Sequence, residues 1–292
     1  MPAMRVHPGI LLIAGALLVS LALAPLLINR GAQETSRHET PIEERFAAAT
    51  QLHDSGDYAG AVALYEGIIA DYPERPDPYL RLGHTLRYWG RHQEAETAFL
   101  AAIQRGPENA WAWTDLGKLY RNMGRHADAE RAFFKSLELD PTREDTYSYG
   151  LGYLYLEMGR FEEAEAMFRK ALELDPKSDM ALSGLGDTYR EMGRYAESEE
   201  AFKETFAVHP HSEAYVGLAW LYIKQGRHAD ALKPLQDFLT NIREKGEVYY
   251  ALGVAHEGLG QHEEAIKAFE RALSLNPDNE MFARMLEQAR AR

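Results

Sequence analysis

The chain has 292 residues and no cysteine, which excludes disulfides, thiolate metal sites and cysteine nucleophiles. Its formal net charge of −13 argues against a general nucleic-acid binder, because such a protein presents a basic surface. A single globular core would be near its usual size limit at this length, whereas an array of repeated units grows in one dimension and escapes that limit.

The N-terminal part of the chain contains a flank at residues 1–8 and an uncharged apolar segment at 9–28. Twenty such residues are long enough to cross a bilayer as a helix, so the segment is predicted to be a transmembrane signal anchor. A cleaved signal peptide is the alternative, because the Ala-Leu-Ala run at 22–24 resembles a cleavage site. Pro25 directly after that run disfavours cleavage, so the anchor is the preferred interpretation.

The orientation in the membrane follows from the flanks of this segment. Arg5 precedes it, and Arg30 and Arg37 follow it, so the positive charges are nearly balanced. A short N-terminus before a long folded domain usually stays cytoplasmic. We therefore expect a single-pass membrane protein with its repeats outside the cytoplasm, on the periplasmic side in a bacterium. Residues 29–41 are polar without apolar periodicity and are predicted to be a linker.

A motif recurs about every 34 residues between residues 42 and 277. In its most regular copy a Leu-Gly pair is followed by a tyrosine, a turn glycine, an alanine, a phenylalanine and a proline. These residues are Leu151, Gly152, Tyr155, Gly159, Ala164, Phe168 and Pro176. The turn glycines lie 34, 34, 35, 34, 33 and 34 residues apart and define seven units. They are Gly56, Gly90, Gly124, Gly159, Gly193, Gly226 and Gly260.

The spacing within a unit predicts two helices joined by a tight turn. Leu116, Tyr120 and Met123 are three or four residues apart, so they share one helical face. Gly124 permits the left-handed backbone that ends a helix. Gly117 is small where the two helices must approach closely. One such pair leaves an apolar face that only its neighbours can cover, so the units are expected to stack.

Three parts of the array depart from this pattern. The first unit, from residue 42, is degenerate, as an end repeat often is. In the sixth unit Pro234 falls inside the second helix, where it is expected to cause a kink. Residues 278–292 carry one apolar stripe and are predicted to form a helix that caps the last unit.

The motif resembles the tetratricopeptide repeat, whose signature joins Trp, Leu-Gly, Tyr, Ala, Phe and Pro at matching offsets. This resemblance implies an all-α fold, a right-handed superhelical solenoid of seven helix hairpins with a C-terminal capping helix and a preceding transmembrane helix. It also implies that ligands bind the concave face, which the first helices of the units line.

Four positions of each first helix point towards that face in the family. Applied to this chain, the resemblance selects basic residues in the second and third units and aromatic residues later. The candidate groove residues are His84, Arg87, Lys118, Arg121, Tyr149, Tyr153, Asp187, Arg190 and Trp220. The same rule adds Thr114, Leu156, Val216 and Ile223. Arginine and aromatic side chains are the usual anchors of binding energy, so a protein segment with acidic and apolar groups is the predicted partner.

Catalytic chemistry is not predicted, because nothing pairs a nucleophile with a base at a recognisable spacing. No cofactor or metal is predicted either. The Gly-Leu-Gly runs at 150–152 and 184–186 lie inside predicted helices without a strand before them, which argues against phosphate loops. Four histidines two residues after a turn glycine are predicted to pack at the hairpin turn, and a pH-sensing role stays open. They are His92, His126, His228 and His262.

The predicted function is that of a membrane-anchored scaffold or adaptor that binds a protein segment in its groove. The resemblance suggests a role in the assembly of an envelope complex, such as secretion, cofactor maturation or polysaccharide export. One alternative is an assembly module that pairs with itself, as a homo-oligomer, through the first or sixth unit. Another is a secreted repeat protein released by signal-peptide cleavage.

Overall fold

A computed structural model of the chain describes residues 41–210 and 214–292. The transmembrane helix predicted at 9–28 and nearly all of the linker predicted at 29–41 lie outside these residues. Among the helices of the described ranges, none combines the length and the apolar character that a membrane crossing needs.

The described part of the chain contains helices and no strand, so the all-α prediction is confirmed. It has fifteen α-helices and one π-helical segment, which runs from Thr146 to Gly152 directly before α7. The helices are α1 (Ile42–Asp54), α2 (Tyr58–Asp71), α3 (Pro76–Tyr88), α4 (His92–Arg105), α5 (Ala110–Asn122), α6 (His126–Leu139), α7 (Tyr153–Glu157), α8 (Phe161–Leu174), α9 (Asp179–Glu191), α10 (Tyr195–Val208), α11 (Ala214–Lys224), α12 (His228–Asn241), α13 (Gly246–Gly258), α14 (His262–Leu275) and α15 (Glu280–Arg290).

The described residues divide into two compact parts, an N-terminal part that ends at residue 107 and a C-terminal part that begins at residue 108. The N-terminal part contains α1 to α4, and the C-terminal part contains the π-helical segment and α5 to α15. Within each part consecutive helices pack in pairs, and the second helix of a pair packs on the first helix of the next pair. Each part is therefore a helical solenoid, because every element buries its apolar face against its sequence neighbours.

The turn glycines end the first helices in the way the sequence predicts. All seven have positive φ, between 70° and 84°, and they are the only described residues that do. A Cβ added to any of them would meet no atom within 4 Å. The backbone conformation, rather than a lack of space, therefore requires glycine at these positions.

The repeated phenylalanine fills the gap between successive first helices. Phe168 is fully buried, and a Cβ added to Gly152 or Gly184 would lie 2.6 Å or 2.3 Å from its ring. Gly152 belongs to the same repeat and Gly184 to the next, so one ring packs on two pairs of helices. The same two-sided contact holds for Phe133 with Gly117 and Gly150, and for Phe202 with Gly186 and Gly217.

An arginine that follows the turn glycine links neighbouring repeats. Arg194 stacks 4.3 Å from the centre of the Tyr189 ring and donates to Glu165 of the preceding repeat over 2.6 Å. The Tyr189 hydroxyl also donates to Glu165, over 3.1 Å. Burial acts to raise the pKa of Glu165, but the bonds from Arg169, Arg194 and Tyr189 outweigh it and lower that pKa. Equivalent trios are Arg160, Tyr155 and Glu130, and Arg227, Tyr222 and Glu199.

The single 35-residue interval coincides with the π-helical segment. Its extra residue falls between Pro141 and Leu151, which are ten residues apart, whereas Pro107 and Leu116 in the preceding repeat are nine apart. A π-helix bonds i to i+5 and so holds more residues per turn than an α-helix. The segment Thr146–Gly152 absorbs the insertion in this way, and Gly152 keeps its place against the phenylalanine.

The sixth repeat and the C-terminus also follow from local chemistry. Helix α12 continues through Pro234, whose side chain is buried. The side chain of Asn279 caps α15 by accepting from the backbone N–H groups of Met281 and Phe282. Phe282 is fully buried and stacks on Tyr250 at 5.4 Å, so α15 covers the apolar face of the last pair.

Candidate functional site

Two predicted site residues, His84 and Arg87, lie on α3 in the N-terminal part. His84 lines an open cavity of about 360 Å³ together with aromatic and hydroxyl side chains, and its ring meets Phe99 edge-on at 5.6 Å. Arg87 stacks 4.5 Å from the ring of Tyr88. The Nε atom of Arg87 is buried and has no hydrogen-bond partner in the part of the chain that the structure describes.

In the C-terminal part Lys118, Arg121 and Tyr149 form one cluster. Both cations stack on the Tyr149 ring, with Arg121 at 4.4 Å and Lys118 at 5.4 Å from its centre. Lys118 lies 3.3 Å from Asp145, and Arg121 lies 3.6 Å from Glu157. The predicted basic patch is therefore largely neutralised by carboxylates of the next repeat.

The backbone at Tyr149 explains part of this arrangement. Tyr149 belongs to the π-helical segment, and its carbonyl accepts a hydrogen bond from the guanidinium of Arg121. Its ring lies 6.1 Å from that of Tyr153, the first residue of α7. The π-helical segment thus contains Tyr149 and ends directly before Tyr153, two of the aromatic residues that the sequence selects.

The other four candidates, Tyr153, Asp187, Arg190 and Trp220, line one open cavity of about 390 Å³. Helices α7, α9 and α11 supply them, and these are first helices of three successive repeats. The hydroxyl of Tyr153 lies 3.3 Å from that of Ser183, and the Tyr153 ring packs edge-on against Phe168 at 5.2 Å. The structure therefore brings together residues up to 67 positions apart, as the stacking of repeats requires.

Charges in this cavity are unevenly matched. The Arg190 guanidinium lies 2.6 Å from Asp187 and 3.1 Å from Glu191. Burial raises the pKa of Asp187, although Arg190 acts to lower it. Burial also raises the pKa of Tyr153 to about 12, and the nearby carboxylate of Asp187 acts in the same direction.

Thr114 does not line a groove, contrary to the sequence-based prediction. It is 0 % exposed, and its hydroxyl lies 2.7 Å from that of Ser136 and 2.8 Å from that of Thr146. It also donates to the carbonyl of Ala110 at 3.2 Å. The sequence position points towards the next pair of helices, which covers it completely.

The four histidines of the hairpin turns are the first residues of their helices: His92, His126, His228 and His262. In the first three, Nδ1 is buried without a hydrogen-bond partner among the described residues. A Cβ added to Gly258 would lie 2.4 Å from the His228 ring. This imidazole thus packs on a first helix of the next repeat, in keeping with a role in packing.

Several residues of the cavity on α7, α9 and α11 are absent from the sequence-based candidates. Met180 and Ser183 line it and occupy the inward positions of α9 that the family rule defines, so the signal was present in the sequence. Asp179 and Phe202 occupy positions for which the rule predicts no contact with a ligand. In the described ranges no group of three or more His, Asp or Glu side chains is placed to hold a metal ion.

Comparison with known families finds two matches along the chain. Residues 22–247 match the family described as the cilia and flagella-associated protein 70 C-terminal domain. Residues 246–279 match the tetratricopeptide repeat. No curated protein matches the chain.

Several solved structures share its fold. A tetratricopeptide repeat protein from Parabacteroides merdae is 24% identical, with a TM-score of 0.72 over 85% of this chain and 98% of that one. Yeast Tom70 is 16% identical, with a TM-score of 0.68 over 89% of this chain and 56% of that one. PilW, described as a widely conserved type IV pilus biogenesis factor, is 19% identical, with a TM-score of 0.63 over 73% of this chain and 97% of that one.

Proposed function

We propose that this chain, which belongs to the family of the cilia and flagella-associated protein 70 C-terminal domain, is a protein-interaction scaffold. It has tetratricopeptide repeats, and the proposed scaffold is non-catalytic. The observation that carries the proposal is the open cavity on α7, α9 and α11. Aromatic, charged and hydroxyl side chains from three repeats meet there, and their exposed surface suits an extended or helical segment of another protein.

Apolar contacts would supply most of the binding energy. Tyr149, Tyr153 and Trp220 offer half-buried aromatic faces, which lose little conformational freedom when a partner covers them. Acidic groups of the partner would bind at Lys118 and Arg121 only by sharing these cations with Asp145 and Glu157. Such contacts would serve orientation and specificity more than affinity.

The proposal extends to the whole molecule. The full array would be a right-handed superhelix of seven hairpins, and residues 9–28 would anchor it in a membrane with the repeats outside the cytoplasm. The partner would then belong to an envelope complex, and the fold shared with PilW, a pilus biogenesis factor, fits such a setting. A reporter that is active only in the cytoplasm, fused after Arg292, should be silent. An active reporter would contradict this orientation.

Site-specific photocrosslinking in the source cells tests the groove. Met180 lines the cavity and is 39% exposed, so a photoreactive phenylalanine there should capture a defined polypeptide. Lys233 on α12 is the control, because its side chain is 82% exposed on a second helix. Capture at position 233 with none at position 180 would show that the partner binds elsewhere.

A further inference from the structure

The cavity of about 390 Å³ is lined by both aromatic and acidic residues. Tyr153, Phe202 and Trp220 contribute rings, and Asp179 and Asp187 contribute carboxylates. A cation beside an aromatic face is attracted by the negative potential of the ring, and the attraction grows where water is excluded. The lining thus combines two features that favour a positively charged group.

One carboxylate of the cavity has no cationic partner among the described residues. Arg190 is shared by Asp187 and Glu191, and Lys224 lies 2.8 Å from Glu191. Asp179 has no ion pair with any described residue and accepts only from the backbone of Met180, its own neighbour. Among the described residues that line the cavity, two carboxylates, Asp179 and Asp187, therefore face one cation, Arg190. The excess charge is negative, although the protein places an arginine there.

The environment of the Asp187 carboxylate also favours a bound cation. Its Oδ1 atom accepts a hydrogen bond from the Arg190 guanidinium, whereas Oδ2 accepts none from the described residues. Burial raises the pKa of Asp187 despite that arginine, so the ionised carboxylate is incompletely compensated. A second cation would supply the missing interaction. An acidic or purely apolar group would instead leave Asp179 without a cationic partner and Asp187 with Arg190 alone.

We infer that this cavity accepts a lysine or arginine side chain of the bound segment, with Asp179 and Asp187 as its anionic partners. This inference rests on the proposed scaffold function and specifies the chemistry of its partner. It places a cation of the segment at α9 and α11, one repeat beyond the Tyr149 cluster.

Peptide pools of defined charge provide the test. The full-length chain, purified in detergent micelles and immobilised, is incubated with blocked nine-residue peptides of random sequence and one fixed central residue. The centre is arginine, its neutral isostere citrulline, lysine or glutamate. We expect the arginine and lysine pools to be retained about tenfold more than the citrulline and glutamate pools, because charged hydrogen bonds and aromatic contacts add.

Two variants locate the effect. Asp187→Asn keeps the shape of the side chain and should reduce the preference for arginine over citrulline to about twofold or less. Asp128→Asn makes the same change on α6, where Asp128 pairs with Arg125 at 2.7 Å, and should leave the preference intact. Circular dichroism verifies that both variants are folded.

The outcomes separate the two levels of the proposal. Retention without a preference for cations, or a preference that survives Asp187→Asn combined with Asp179→Asn, would overturn the assignment of the cavity and leave the scaffold function standing. No retention of any pool would contradict the scaffold function and this inference with it.

Discussion

The phenylalanine ring between two glycines makes a sharp prediction about the stability of the C-terminal part. In the variant Gly184→Ala the new methyl group would lie 2.3 Å from both Cε1 and Cζ of Phe168. The ring cannot move away, because Gly152 on its other side leaves equally little space. The substitution should therefore force α8 and α9 apart, although alanine is a better helix former than glycine.

Two opposing terms set the magnitude. Overpacking a buried site costs about 1–3 kcal/mol, whereas replacing a glycine by alanine inside a helix gains about 1 kcal/mol. We expect a net loss of about 1 kcal/mol at position 184. Gly67 is the matched control, because a Cβ there would meet its nearest atom, on Arg45, only at 3.5 Å. Gly67→Ala should gain up to about 1 kcal/mol.

Urea unfolding of the full chain measures the free energies, and hydrogen exchange detected by mass spectrometry locates the change. Exchange should accelerate in α8 and α9 for Gly184→Ala and slow in α2 for Gly67→Ala. Phe168→Leu removes the clashing ring atoms, so the double variant should be more stable than the sum of the single effects predicts. If Gly184→Ala is as stable as the parent, or shows no coupling to position 168, the close contact does not exist.

Three further predictions concern the turn, the acid stability and the buried hydroxyls. Gly193→Ala should cost about 1–2 kcal/mol in urea unfolding without touching any atom, since φ is 76° there; an unchanged midpoint would contradict a strained turn. Because the pKa of Glu165 is lowered from 4.5, it stabilises the fold above pH 4.5, and this contribution is lost as the pH falls through the lowered value. Glu165→Gln should therefore flatten the acid side of the stability curve, while Glu162→Gln, on the exposed side of α8, should not. Thr114→Val should lower the free energy of unfolding by about 1–2 kcal/mol, because it removes a fully buried hydroxyl that is hydrogen-bonded to Ser136. Retention of the peptide pools should not change.

Much of the fold follows from the sequence because the repeat states each local requirement several times. The turn glycines identify the left-handed residues, and the spacing of Leu116, Tyr120 and Met123 identifies a buried face. The sequence does not reveal that an arginine links neighbouring repeats, although an arginine follows the turn glycine in five of them. Its meaning is visible only in three dimensions, because the partner of Arg194 is a glutamate 29 residues earlier.

The candidate site was predictable only in part. The family rule selects Tyr153, Asp187, Arg190 and Trp220, and the structure places all four around one cavity. The same rule selects Thr114, which the following helices bury completely. A helical period identifies the face on which a side chain lies, but not whether a neighbouring repeat covers that face.

The sequence by itself determined the period of the repeats and the glycines that end the first helices, since these depend on local backbone conformation and on a fixed spacing. Only the tertiary structure decided which charges remain unmatched. Lys118 meets Asp145, and Glu191 meets Lys224, across intervals of 27 and 33 residues. Electrostatic energy depends on distance in space, and stacking alone brings these groups within reach of one another.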